Sequence, residues 1–96
     1  MKEIQEHYNS KLPRYFGAIA ITFGRHIFYT SPKGSTPERL RRHEQTHVAQ
    51  YKSYGIFRFI MIYFYWYLRG RLSGLSHYKA YYQIPFEVEA RKAERA

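Results

Sequence analysis

The sequence contains no cysteine, which excludes disulfides, cysteine-ligated zinc and thiol nucleophiles. It also contains no aspartate, so all seven acidic residues are glutamates and carboxylate chemistry must come from them. The most apolar run, residues 59–68, is bracketed by arginines and is too short to cross a bilayer as a helix. We therefore expect no transmembrane segment. The N-terminus shows no apolar stretch typical of a signal peptide, so a cytoplasmic or particle-associated location is expected.

Aromatic side chains and positive charge are abundant instead. Aromatic residues make up 20% of the chain, which indicates a folded protein rather than a disordered basic one. The length of 96 residues predicts one domain over residues 1–96, in which residues 1–16 could form an N-terminal arm. The net charge of +9 favours anionic partners, but the arginine clusters are too short to favour nucleic acid.

Two β-rich runs, residues 17–23 and 26–29, flank the pair Gly24-Arg25. Such a pattern predicts a β-hairpin with a type II′ turn, in which glycine takes the first turn position.

Three helices are predicted after the hairpin. Ser35 and Glu38 have the spacing of a capping box, which predicts the start of a helix that ends at Gly55. A second helix is predicted over 56–69 and a last one over 86–95. Together these elements predict an α+β fold, with a short hairpin packed on a bundle of about three helices.

The second predicted helix, residues 56–69, is apolar at nearly every position. This composition predicts burial on several sides or against a partner, through self-association or within a larger assembly. An interfacial helix lying on a membrane is the alternative.

The string His43-Glu44-Gln45-Thr46-His47 lies within the first predicted helix. Residues i and i+4 share a helix face, so the two imidazoles can bind one zinc ion. Glu44 lies about 100° further round the helix, where it can act as general base on a zinc-activated water. With this composition a chance match is expected roughly 0.02 times per chain, so the string predicts a zinc site.

A catalytic zinc ion needs a third protein ligand, and four residues are candidates: His26, His77, Glu87 and Glu89. The metzincin class is excluded, because Ser53 occupies the position of its third histidine. Glu87 falls in the first turn of the last predicted helix. Glu89 lies about 200° round that helix, so only one of these two glutamates can be the ligand.

These strings resemble the gluzincin pattern of zinc peptidases, in which a glutamate on a separate helix is the third ligand. The resemblance covers roughly residues 17–93, and it is especially close to minimal gluzincin-type peptidases. The sequence is also similar to the metallopeptidase domain of contractile-injection-system and toxin-associated proteins. The strings that carry the resemblance are HEQTHVAQ at 43–50 and IPFEVEAR at 84–91.

The resemblance implies that His43, His47 and Glu87 are zinc ligands and that Glu44 is the base and acid. Related families have an acidic residue where this chain has Arg91. The orientation of a ligand histidine would then depend on a backbone carbonyl or on Glu89. A residue that stabilises the oxyanion is expected near the ion. Its candidates are His77, Tyr78, Tyr81, Tyr82 and Arg91.

Two functions follow from these observations. The first is a zinc-dependent metallopeptidase that hydrolyses a peptide or protein, cell-wall peptides included, with Glu44 as general base and acid. The alternative is a non-enzymatic or weakly active module, stabilised by zinc, within a larger phage or secretion assembly. The small size and the aromatic helix 56–69 motivate this alternative.

Overall fold

The computed structural model of the chain describes residues 3–95; residues 1 and 2 of the expected arm and residue 96 lie outside the described part. The fold is α+β, as predicted: a small three-stranded sheet followed by four helices. No helix in the described part of the chain is long and apolar enough to span a bilayer. In chain order the elements are β1 (Gln5–His7), β2 (Ala20–Phe23), β3 (His26–Tyr29), α1 (Glu38–Tyr54), α2 (Ile56–Leu72), α3 (His77–Tyr82) and α4 (Pro85–Ala93).

The predicted hairpin is present as β2 and β3, which pair antiparallel with Ala20 opposite Tyr29 and Phe23 opposite His26. Gly24 has a φ of 62°, which the first position of a type II′ turn requires. The expected arm contributes β1, which pairs parallel with β3 and makes β3 the central strand. This third strand was not predicted.

One face of the sheet packs on α1. Ile27 and Tyr29 on β3 are fully buried there, together with Val48 from α1. Successive side chains of a strand point to opposite faces, so the intervening Phe28 lies on the other face, where it stacks on His7. This face of the sheet thus packs directly against the helix that carries the two motif histidines.

The predicted capping box at the start of α1 is wrong. The N-cap is Pro37, which is extended and makes no side-chain cap bond, while Ser35 belongs to a preceding 3-10 turn. Thr36 is also extended, because a residue before proline is disfavoured in the helical region. The helix therefore begins only at Glu38. Its predicted end is confirmed, since Gly55 caps it with a φ of 82°.

The second helix runs three residues further than predicted, to Leu72, because α3 packs against its last turn. A Cβ atom added to Gly70 would lie 3.1 Å from the Cα of Ala80, so the missing side chain allows this close approach. Gly70 therefore acts as a packing residue inside the helix.

Of the two expectations for α2, burial on several sides is wrong for the single chain, and burial against a partner stays a prediction. Its inner side does pack: Phe59 stacks on Tyr51 at 3.8 Å and on Phe86 at 4.6 Å between ring centres. Its outer side is exposed, with Phe57 78% and Leu72 80% accessible. In the described part of the chain, α1, α3 and α4 contact α2 and leave this outer side uncovered.

A polar cluster ties β1 to the start of α1. Both carboxylate oxygens of Glu6 are engaged: Arg41 donates at 2.8 Å to one, and the hydroxyl of Tyr29 donates at 2.8 Å to the other. Because Tyr29 is fully buried, its hydroxyl depends on Glu6 for a partner.

We expect Glu6→Ala to lower the free energy of unfolding by about 1–3 kcal/mol, because it leaves the Tyr29 hydroxyl and the Arg41 guanidinium without their acceptor. Urea denaturation followed by circular dichroism measures this loss. The matched control is Glu3→Ala, whose exposed side chain should change stability by less than about 0.5 kcal/mol. Equal effects of the two variants would contradict this role for Glu6.

Candidate metal centre

Three buried side chains converge between α1 and α4: His43, His47 and Glu87. The Nε2 atom of His43 lies 3.0 Å from Oε1 of Glu87, and the Nε2 atom of His47 lies 3.2 Å from Oε2. The candidate ligand atoms all lie within 4.8 Å of one another. The structure thus brings together the three residues singled out as ligands in the sequence.

Helix geometry explains this convergence. His43 and His47 are one turn apart on α1, and α4 packs against α1 with Glu87 in its first turn. Glu89 is exposed and instead accepts a hydrogen bond at 2.6 Å from Nε2 of Gln50. Of the two candidate glutamates, Glu87 alone reaches the histidines.

The other two candidate ligands lie elsewhere. His26 lies in β3, where its Nδ1 is 3.2 Å from Nε2 of His7. His77 is the first residue of α3, and its Nδ1 lies 2.8 Å from the hydroxyl oxygen of Tyr67, within hydrogen-bond distance.

The outward nitrogen of each motif histidine also has an acceptor. Nδ1 of His43 lies 2.6 Å from Oε2 of Glu94, and Nδ1 of His47 lies 2.8 Å from Oε1 of Gln50. Gln50 is held in turn by donating to the carbonyl of Phe86 and to Glu89. Both histidines therefore carry a proton on Nδ1 and direct Nε2 at Glu87.

The group fits a divalent metal ion. With the Nδ1 protons fixed outward, each inward Nε2 presents a lone pair to an acceptor-only carboxylate unless a proton or a cation lies between them. Ligands about 2.0–2.1 Å from a tetrahedral ion are about 3.3 Å apart. The observed separations of 3.0 and 3.2 Å are close to that value. This is a buried two-histidine, one-glutamate group of the kind that can hold a metal.

Two tyrosine hydroxyls complete the surroundings of Glu87. Tyr63 on α2 donates to Oε2 at 2.6 Å, and Tyr81 on α3 donates to Oε1 at 3.1 Å. Tyr81 was among the candidates for stabilising an oxyanion. The other four lie apart from the triad: Tyr78 and Tyr82 are exposed, His77 contacts Tyr67, and Arg91 packs over Tyr82.

Sequence reasoning missed Tyr63, Gln50 and Glu94 as supports of the triad. The periodicity of α2 places Tyr63 on the same face as the buried Phe59, but does not say that this face meets Glu87. A backbone carbonyl or Glu89 was expected to orient a ligand histidine. The carbonyl of Phe86 and Glu89 both hold Gln50, which contacts His47. Glu94 contacts His43 directly.

The proximity of these groups shifts their protonation. Burial lowers the pKa of His43, but hydrogen bonds to Glu87 and Glu94 outweigh it and raise the pKa to about 8. Burial likewise opposes protonation of His47, yet its hydrogen bond to Glu87 raises its pKa. Burial alone would raise the pKa of Glu87, and its hydrogen bonds to the two histidines hold it well below its usual range. Protons thus compete with a metal for the inward nitrogens.

Glu44 is buried beside the triad without belonging to it. Its Oε1 accepts a hydrogen bond at 2.8 Å from the hydroxyl of Thr22 on β2. Burial raises the pKa of Glu44, although the charge of His47 and the bond from Thr22 partly offset this rise. The sheet therefore fixes the carboxylate next to the ligand pair.

A shallow surface depression of about 660 Å³ lies along α1 and α4. Gln50 and Glu89 line it, but none of the three triad residues does. This depression therefore does not reach the triad.

Comparison with protein families identifies the domain. A family described as the eCIS core domain matches residues 3–55, which are 53 of the 96 residues. The chain belongs to this family, which is associated with extracellular contractile injection systems. Neither the comparison with curated proteins nor that with solved structures gives a match. The matched part runs from β1 to the end of α1 and includes both motif histidines; Glu87 lies beyond it.

The raised pKa of His43 predicts opposite pH trends with and without metal. Its protonated form favours the folded state fully below about 6.5, and this contribution is lost as pH rises through about 8. EDTA-treated protein should therefore lose thermal stability over pH 6.5–8.5. Added zinc needs the deprotonated Nε2, so the rise in Tm that it produces should grow over the same range. Calorimetry at several pH values measures both; a zinc-induced rise that shrinks with pH would contradict the assignment.

Proposed function

We propose that this domain is a zinc-binding module of an injection-system-associated protein, in which the ion joins α1 to α4. The observation that carries the proposal is the convergence of three buried ligand atoms, from His43, His47 and Glu87, on one point between these helices. Membership of the eCIS core domain family supports a role together with other injection-system proteins.

The donor set supports zinc among the divalent metals. Two imidazole nitrogens and one carboxylate oxygen are common zinc ligands, and hard cations such as magnesium prefer oxygen alone. The hydrogen bonds from each outward Nδ1 to Glu94 and Gln50 are the supports that zinc-binding histidines ordinarily have.

The position of the site supports a stabilising role. His43 and His47 belong to the part of the chain that the family matches, whereas Glu87 comes from the C-terminal part. An ion bound by all three would hold the two parts together and bind the unfolded chain far more weakly. For a domain of 96 residues with a modest core, this contribution would be a large share of stability.

We expect His43→Ala, His47→Ala and Glu87→Ala each to lose stoichiometric zinc and the zinc-dependent rise in Tm, because each removes one ligand. The matched control is Lys92→Ala, on the same helix as Glu87 but exposed and away from the contacts around the triad, which should keep about one zinc ion per chain. Elemental analysis of purified protein with calorimetry measures both. Retention of zinc by Glu87→Ala, or an equal loss of zinc from Lys92→Ala, would contradict the ligand assignment.

The second candidate function is that of a zinc peptidase, and Glu44 is the observation that favours it. A structural ion does not need the carboxylate of Glu44. Burying this carboxylate costs free energy, and a catalytic role would account for that cost. The triad also supplies three protein ligands, the number typical of catalytic rather than structural zinc. A bound zinc ion would polarise a carbonyl and make water more acidic.

In this role Glu44 would accept a proton from the attacking water and pass it to the leaving amine of a peptide substrate. Thr22 would hold the carboxylate in place through its hydrogen bond at 2.8 Å. Tyr81 would keep Glu87 oriented through the contact to Oε1.

If the domain is a peptidase, we expect Glu44→Gln to keep zinc and Tm while hydrolysis of a fluorogenic peptide library falls by about 10²–10⁴-fold. The matched control is Gln45→Ala, which alters the neighbouring residue on α1 and should leave any hydrolysis unchanged. Wild-type protein that holds zinc but cleaves no library member would leave the zinc-binding module as the function. Cleavage by Glu44→Gln at the wild-type rate would contradict the role of Glu44.

A further inference from the structure

The outer side of α2 presents a continuous apolar stripe. Phe57, Met61, Phe64, Leu68 and Leu72 follow one another at spacings of three or four residues, which places them on one helix face. All five are exposed, from 44% at Leu68 to 80% at Leu72. The stripe is about 22 Å long, from a rise of about 1.5 Å per residue. Exposed apolar surface of this extent indicates a docking surface.

The helix is fixed by its opposite side. Phe59 and Gly70 are buried on that side, and Tyr63 reaches Glu87 from it. Docking on the stripe would therefore leave the packing of the domain intact.

The charged residues of α2 and α3 are all positive. Between Gln45 and Phe86 the sequence contains no acidic residue, and it contains five basic ones. Arg58 and Arg69 follow one long border of the stripe, about 60–100° round the helix from its centre, and Arg71 lies near the other border. Long arginine side chains at such borders can reach an anionic surface while the apolar face is buried.

We propose that the outer face of α2 docks on the surface of an anionic lipid bilayer, with the helix lying parallel to the membrane. An apolar face with basic borders is the pattern by which helices bind the interfacial region of bilayers. The proposal is independent of zinc and of any catalytic role.

Other occupants fit less well. Docking of a second copy would bring together the arginine borders of two chains, each with a net charge of +9. No acidic residue on α2 or α3 would compensate the repulsion between them. An acidic protein would match the charge. However, protein interfaces usually mix apolar area with nearly as much polar area, whereas Tyr65 carries the one hydroxyl of this face.

The test is flotation of the full chain with vesicles of 30% phosphatidylglycerol in phosphatidylcholine and with vesicles of pure phosphatidylcholine. We expect binding to the anionic vesicles and at least about tenfold weaker binding to the neutral ones. Phe57→Gln/Phe64→Gln should weaken binding to anionic vesicles about tenfold or more, because two exposed apolar side chains are removed.

The matched control is Tyr15→Gln/Phe16→Gln, which removes two equally exposed aromatic side chains outside α2 and should leave vesicle binding unchanged. Circular dichroism of both double variants checks that each is folded. Absence of binding to anionic vesicles, or equal weakening by the two double variants, would overturn the proposal. Two further results would overturn the proposal. One is a dimer that forms without lipid and is abolished by Phe57→Gln/Phe64→Gln. The other is that the wild type and this variant bind equally well to vesicles and equally well to poly-glutamate.

Discussion

The carboxylate of Glu87 is the group on which the arrangement of this domain depends. It is 3% exposed, and its two oxygens accept contacts from two imidazoles of α1 and two phenols of α2 and α3. A charge buried this deeply is tolerated only if it is paired and hydrogen-bonded. The three other helices therefore all direct a polar side chain at the first turn of α4.

This requirement links the sheet to the helices as well. The sheet packs on α1 through Ile27 and Tyr29, and Thr22 of β2 holds Glu44 one residue from His43. The register of α1 against the sheet thus sets where the two histidines lie, and Gln50 and Glu94 set how their rings are turned. A small shift of α1 would change the distances from both histidines to Glu87. Packing this helix against the sheet on one side and the other helices on the other restricts such shifts.

Part of this structure could be predicted from the sequence, and the rest depends on tertiary contacts. The hairpin, the motif helix and its end at Gly55 have local signals in turn residues and periodicity. Glu87 was one of four candidates for the third ligand, and only the packing of α4 on α1 decides that it, and not Glu89, faces the histidines. Strand β1 has polar residues and no alternation, so only its pairing with β3 makes it a strand. Tyr63 and Glu94 carry no motif, since their roles arise from where α2 and the end of α4 come to lie.

Coordination of zinc by His43, His47 and Glu87 is the property on which the proposed role of this domain depends. Zinc K-edge X-ray absorption of protein loaded with one equivalent of zinc reports the ligands directly. We predict scattering from two imidazoles and from oxygen at about 2.0–2.1 Å, whereas His47→Ala should retain too little zinc to give this spectrum. A spectrum of oxygen ligands alone, or one unchanged in His47→Ala, would show that the ion binds elsewhere and would contradict the account.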